Sequence, residues 1–443
     1  MENQQSTEAM MQRFQKIQAD LPGDWLVAER EAAITNFSHT GFPTPKKENW
    51  KYTNLYRLSR SNFQPLNIAV SGADANLALT QAGVDGSHRL IFVNGGFSRK
   101  LSTVGAMPKG IFLSSLAVAL DNHKSDLDGV ITTIANIKES PLVALNTAFM
   151  RDGLVLLIPE GIALDKPLNI MHIVDESGRG TAFQPRVLVV LGARSSATIL
   201  ETFVGVEGIP YWTNSVLEIR VGKEASVEHV KYQGESLCAY NTAFSRVLLE
   251  RGSNYSYVSL AKGGELARDE VKVVLNGEGS NCALSGAALL KHRQQVDFTT
   301  EIIHEAPFAS SCQTFRNVLD DQSHSVFQGK VSVQRDAQKT DASQSSKNLL
   351  LSRGAKADTK PELRISADDV KCAHGATVGD LDPNALFYLT SRGIPPYQAK
   401  ILLVNAFIKE VVFAVQDQRI RAYLDLFVSE WMRETFCEDI KNC

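Results

Sequence analysis

Apolar and polar positions follow two different rhythms along this chain. Over the first 60 residues the rhythm is helical. Met10, Phe14, Ile17 and Leu21 recur on one face of a 3.6-residue turn, and Pro22-Gly23 breaks the pattern. Trp25 to Phe37 can form a second helix, and Pro43 and Pro45 mark an irregular connector. Leu90 to Asn94 reads as a short strand closed by Gly95-Gly96, and Phe112–Leu120 and Leu142–Phe149 read as helices.

From about Gly153 to Val378 the rhythm changes to short β-rich runs such as LVLLIP, LNIMHIV, RVLVVLG and EVKVVLNG, with no convincing helix of ten residues or more between them. Gly192, Gly222 and Gly252 are spaced 30 apart, and each is followed four residues later by a serine, Ser196, Ser226 or Ser256. Gly161 lies 31 residues before this series and Gly279 lies 27 after it. A fixed period of this size marks a solenoid, in which neighbouring coils stack to bury faces that no coil can bury alone. An antiparallel meander with regular glycine turns gives a similar spacing, and periodicity alone leaves both open. In the solenoid, the three glycines are expected at equivalent corners, each supplying a backbone angle unfavourable for other residues.

After residue 380 the pattern is helical again. Asp382-Pro383 provides an N-cap and a first-turn proline, Leu386, Leu389 and Thr390 continue the helix, and Gly393 stops it. Pro395-Pro396 opens a longer helix through Leu402, Ala406, Ile408 and Val412. The last helix carries Ile420, Tyr423, Leu424, Phe427 and Trp431. The chain thus divides into a mostly helical region 1–150, a β core 151–380 and a helical region 381–443. Helices at both termini are placed to cap the open ends of a solenoid, and those at the C-terminus can also dock a partner.

Composition narrows the function. The 443 residues carry 46 basic and 49 acidic side chains, a net charge of −3, which offers no electrostatic footprint for nucleic acid or an anionic membrane. No apolar run reaches membrane-spanning length. The N-terminus lacks a basic stretch followed by an apolar core, which argues against secretion. Six cysteines (238, 282, 312, 372, 437 and 443) are too sparse for a disulfide framework, and free thiols in a reducing cytoplasm are expected. Cys437 and Cys443 read as structurally unimportant.

Several catalytic motifs are missing. Gly222-Lys223 and Gly329-Lys330 are followed by Glu224 and Val331, so no P-loop hydroxyl is positioned for magnesium, and the chain is not expected to hydrolyse ATP. Gly277-Glu278-Gly279 lies between strands with no helix to receive a phosphate. His292, His304 and His324, with Cys312 and Glu305, fall in one stretch that a solenoid could stack, but the preferred reading is of surface polar residues.

The strongest candidate chemistry is Cys372 and His374. Two residues apart on a strand, they share a face and offer a thiolate beside an imidazole, a pairing suited to iron or zinc. Spacing alone also fits a buried cysteine next to a hydrogen-bonded histidine.

The segment CAHGATVGDLDPNALFYLTSRGI resembles the C-terminal signature of the SufB/SufD family of iron–sulfur cluster assembly proteins, and KKENWKYTNL, residues 46–55, resembles the N-terminal segment of its SufD branch. The resemblance implies a right-handed parallel β-helix core between helical ends. It implies a non-catalytic scaffold that pairs with a SufB-like subunit and binds a SufC-like ABC ATPase through region 381–443, with Asp382, Pro383, Phe387, Tyr388 and Arg392 as docking candidates. Deleting 381–443 is then expected to abolish ATPase binding and leave the β-helix folded.

Cys372 and His374 match the family's Cys-x-His-Gly motif, which faces SufB and is associated with cluster formation or the admission of iron. One Cys and one His cannot complete a site, so ligands must be shared with a partner. The chain alone is expected to hold no tight cofactor, only a transient cluster or iron within the complex. SufB-type chains carry a cysteine where this one has Ser345, and Glu-His-Glu in place of Ala373-His374-Gly375. Both departures favour the SufD branch. A homodimer is open when SufB is absent. Competing readings are a carbohydrate-active β-helix enzyme, such as a polysaccharide lyase, and a purely structural solenoid.

Overall fold

Every strand of the central region that neighbours another coil pairs with it in parallel. A computed structural model describes residues 2–65 and 83–436. Cys437 and Cys443 lie outside the described residues. Two long sheets face each other across a lumen. Strands that alternate along the sequence belong to opposite sheets, so one sheet runs from Gly153–Ile158 to Lys356–Ile365 and the other from Leu168–Val174 to Lys371–Gly379. The architecture is a parallel β-solenoid with helical ends, and the meander is excluded.

The apolar runs exist because both sheet faces are covered. Val271, Val273 and Leu275 point into the lumen, where they meet Tyr255, Tyr257 and Leu284 of the facing sheet. Val230, Val258, Leu289 and Val318 point outwards beneath the C-terminal helices.

The 30-residue repeat holds for one step and then shifts. Ser196 pairs with Ser226, but Ser226 pairs with Asn254, so this coil is two residues shorter and Ser256 is out of register. Gly192 and Gly222 share a corner, and Gly252 stands two residues further on. Their reasons for being glycine also differ. A Cβ on Gly192 or Gly222 would come within 2.5 Å and 2.6 Å of the backbone of the preceding coil. Gly252 has φ +63° and belongs to a left-handed corner repeated at Gly161, Arg194, Glu224, Gly279, Phe308 and Lys339. At each of these corners the N–H donates to a carbonyl of the following coil, as from Glu224 to Arg251 at 2.9 Å and from Phe308 to Gln338 at 2.9 Å. This inter-coil bond imposes the turn on residues that would otherwise avoid it.

The termini do not cap the solenoid as the sequence suggests. The N-terminal helices Glu2–Ile17 and Val27–Thr40 cover the outer face of the first sheet, where Phe14, Phe37 and Phe42 pack on Trp212, Tyr240 and Leu266. The strand at His88–Val93 joins the second sheet beside Leu168–Val174, so residues before 150 contribute to the solenoid itself. Phe112–Leu120 is not one helix. Phe112–Ser115 is a strand antiparallel to residues 154–157, and the helix Leu116–Asn122 begins only after the Ser115 cap. Sheet pairing outweighs helical propensity there.

The C-terminal helices Pro396–Val412 and Gln418–Phe436 lie along the outer flank of the second sheet, with Val404, Ile408, Ile420, Leu424 and Trp431 buried against it. Removing 381–443 would expose this whole apolar face, so that truncation is not neutral for the solenoid, contrary to the sequence expectation. Only Pro383–Ser391 stands clear, with no buried residue.

Candidate functional site at the open end of the solenoid

The last coil ends in two long edges that none of the described residues covers. Lys356–Ile365 is the final strand of the first sheet and Lys371–Gly379 that of the second. Lys356 and Ser366 donate their N–H groups back to the preceding coil, as does Lys371 to Thr340. By alternation, the N–H groups of residues 357, 359, 363 and 365, and of Cys372, His374, Ala376 and Val378, face outwards. Pro361 takes one of these outward positions in the first sheet, which breaks its row of donors without harming the internal ladder. The second sheet's edge keeps its full row.

Cys372 and His374 lie on this unbroken edge. Cys372 continues a column of lumen residues through Tyr255, Cys282, Ser311 and Ala342. It is half-buried and packs on the lumen core. Burial, and then the Asp341 carboxylate, push its thiol above the ordinary cysteine range, while the Ala342 N–H pulls the other way. His374 continues the neighbouring column and is exposed at the mouth of the lumen. The pair therefore shares one face, as the spacing predicts. Among the described residues no three His, Cys, Asp or Glu side chains gather into a metal site.

The helix Pro383–Ser391 begins just after this edge. The Asp382 carboxylate accepts from the Asn384 N–H at 2.9 Å, and Pro383 opens the first turn. Phe387 and Tyr388 are 73% and 59% exposed. The Arg392 guanidinium stacks over the Tyr388 ring at 5.3 Å. These five residues form one exposed, aromatic, basic-tipped surface.

The other candidates disperse. His304 is buried in the lumen, with its Nε2 2.9 Å from the Ser311 hydroxyl, and burial pushes its pKa down to about 4. His292 and His324 pair with Asp321 and Asp358 at 3.2 Å and 2.8 Å, and Cys312 is exposed on the outside of the other sheet. The expectation of surface polar residues thus fails for His304. Ser345 points outwards, where the Arg316 guanidinium donates to it at 3.2 Å and grips Glu410 of the helix Pro396–Val412 with two bonds of 2.8 Å. Ser345 is not on the face that Cys372 and His374 share.

Sequence reasoning gave the segment 46–55 no physical role. The structure makes it a strap across four successive strands of the first sheet. Trp50 is buried under the Arg268 guanidinium at 3.9 Å, and Arg268 also bonds Asp297 and the Asn49 carbonyl. Gln295 and Gln328 donate to the carbonyls of Tyr52 and Asn49 at 2.9 Å and 3.2 Å, and Lys360 pairs with Glu48. Beside the strap runs a groove of about 240 Å³ lined by Glu270, Glu301 and Glu362. Each of these carboxylates is ion-paired to a Lys or Arg. A glycosidase-like general acid needs a carboxyl group that keeps its proton, and against the upward pull of burial the cations beside Glu301 and Glu362 hold both below the ordinary carboxyl range.

No helix of the described residues is long and apolar enough to cross a membrane. Comparison with known proteins matches residues 172–407 to the SufBD core domain of the SUF iron–sulfur cluster assembly system, and residues 1–170 to the SufBD N-terminal region. The chain is 31% identical over 388 residues to the iron–sulfur cluster assembly protein SufD of Escherichia coli, covering 86% of this chain and 87% of that protein. It is 30% identical over 398 residues to a SufBD family protein of Synechocystis, covering 87% of each. It is 27% identical over 409 residues to SufD of Bacillus subtilis, covering 88% and 90%. With a solenoid of this topology, a Cys-x-His pair on its terminal edge and family matches across nearly its whole length, the chain belongs to the SufBD family of iron–sulfur cluster assembly proteins.

Proposed function

We propose that this chain is a SufD-type scaffold subunit that pairs with a SufB-like subunit through its open end and carries a SufC-like ATPase on its C-terminal helices. The observation that carries this reading is the unbroken edge Lys371–Gly379, a row of outward donors and acceptors with Cys372 and His374 in its first half. An edge of this length is a template for another strand. A second solenoid seated there would bring its own ligands to the thiol and imidazole, completing a site that two side chains cannot form. When the SufB-like chain is absent, two copies of this chain can pair through the same edge.

In the free subunit the Cys372 thiol holds its proton, because burial and Asp341 both disfavour the thiolate. Incoming iron or a cationic group of the partner reverses that balance, since metal binding draws off the thiol proton. His374 supplies a nitrogen ligand beside the Cys372 sulfur or relays a proton during assembly. The cluster is cargo that passes on to apoproteins, and this subunit itself catalyses no bond rearrangement. Hydrolysis of ATP falls to the ATPase, because this chain lacks a P-loop. A reducing cytoplasm suits the free thiols.

The deciding experiment measures iron and acid-labile sulfide per complex for His374→Ala. The expected complex assembles, melts and hydrolyses ATP normally but accumulates little cluster. Wild-type cluster content would remove His374 from the mechanism. For the ATPase, Phe387→Ala combined with Tyr388→Ala should abolish co-purification while melting stays unchanged, because both rings are exposed. Full-yield recovery of the ATPase would place docking elsewhere.

A further inference from the structure

A column of polar side chains runs into the lumen beneath His374. Tyr257, Leu284, Gln313, Gln344 and His374 occupy the same register position on five successive strands. Tyr257 and Leu284 belong to the lumen core, so the residues that continue their column face the lumen as well. Gln313 and Gln344 are 0% and 3% exposed. Gln313 Oε1 accepts from the Thr300 hydroxyl at 2.6 Å. Gln313 Nε2 is buried without a partner, and on Gln344 neither Nε2 nor Oε1 has one although both atoms are buried. Gly329 faces it closely: a Cβ there would stand 3.1 Å from Gln344 Nε2.

Burying a carboxamide without partners forfeits its hydrogen bonds to water, so a glutamine at this position calls for a reason. In-register neighbours on adjacent strands stand about 4.8 Å apart. The imidazole of His374 therefore lies on one side of Gln344 and the Gln313 amide on the other.

We propose that Gln344 is a positioning residue that fixes the tautomer of His374. A turn of the Gln344 side chain, whose amide atoms stand without partners in the structure, brings Oε1 to accept the N–H of the imidazole nitrogen that faces the lumen. Gln344 Nε2 donates to Gln313 Oε1, which has a second lone pair beside the one Thr300 uses. With its proton held on the lumen side, the other ring nitrogen presents its lone pair to the open end. A metal-binding histidine needs this arrangement, and an outer hydrogen-bond partner ordinarily supplies it. An amide achieves it without bringing a charge into the lumen. The inference rests on the reading of His374 as ligand or relay, but it concerns the free subunit and is measured there.

The test uses the full chain labelled with 15N-histidine at a pH where imidazole is neutral. Long-range couplings between ring nitrogens and ring C–H protons report the tautomer, and the His374 signals are those lost in His374→Ala. Wild-type His374 is expected in a single tautomer, and in Gln344→Met, a variant of similar shape without hydrogen-bonding groups, the two tautomers should exchange. A wild-type His374 that already exchanges overturns the proposal without any variant. So does a folded Gln344→Met chain that keeps the single tautomer. These outcomes are independent of cluster content: a His374→Ala complex that still assembles clusters would end the functional reading and leave the tautomer result standing.

Discussion

The two ends of the solenoid are built from the same kind of coil and are finished in opposite ways. At the N-terminal end, Gly96–Phe97 and Phe112–Ser115 turn back antiparallel and seal both sheets. Phe97, Met107, Ile111 and Leu113 lie across the lumen there. At the C-terminal end neither sheet is sealed, the lumen column ends in Cys372 and His374, and the helices that could have covered it lie along the flank instead. One end thus finishes in short antiparallel strands that turn back, and the other leaves a long parallel edge of the kind that templates another strand. Under the proposed function, the first end serves stability and the second serves assembly.

Blocking the open edge should produce the largest effect. In Ala376→Pro the lost N–H faces outwards, so the internal ladder survives, as it does at Pro361. The variant chain is expected to fold and melt like wild type, and to lose its pairing with a SufB-like subunit completely in size-exclusion and pull-down measurements. Normal pairing would show that the edge Lys371–Gly379 is not the interface. The closed end should answer in the opposite sense. Phe92 is buried between Phe97 and the His172 ring, at 5.7 Å and 5.3 Å. Phe92→Ala should cost about 3–5 kcal/mol in chemical denaturation and leave partner affinity unchanged once the protein is folded. A loss of pairing without a loss of stability would dissolve the distinction between the ends.

Much of this contrast was legible in the sequence, and its key element was not. The β-rich runs, the coil-like period and the capped helix at Asp382 follow from local rules that the structure obeys. The same-face placement of Cys372 and His374 follows from strand alternation alone. The left-handed corner was hidden because inter-coil bonding forces it on Arg194, Glu224, Phe308 and Lys339, where no glycine signals a turn. The position of the C-terminal helices was hidden because an amphipathic stripe says that a helix is covered, not which surface covers it. Gln344 was invisible as a candidate because its significance lies in register with His374, thirty residues away in sequence. The role of Trp50 required Arg268, which lies on a distant strand.

The smallest expected effect concerns the chemistry of the open edge itself. Burial and the Asp341 carboxylate both raise the Cys372 pKa. The thiolate, which is the reactive form, is therefore scarce in the free subunit at neutral pH and grows as pH rises past the ordinary cysteine range. Asp341→Asn removes the like-charge contribution and keeps the side chain's size, so the pKa should fall and alkylation at pH 8 should speed up a few-fold. The comparison thiol is Cys238, exposed and far along the solenoid, whose rate should stay constant. Adding a SufB-like partner tests the sign in a second way. A cationic group brought to the edge should accelerate Cys372 beyond the Asp341→Asn rate, and simple covering should slow it. An unchanged rate in Asp341→Asn would mean that burial, and not the Asp341 charge, holds the proton.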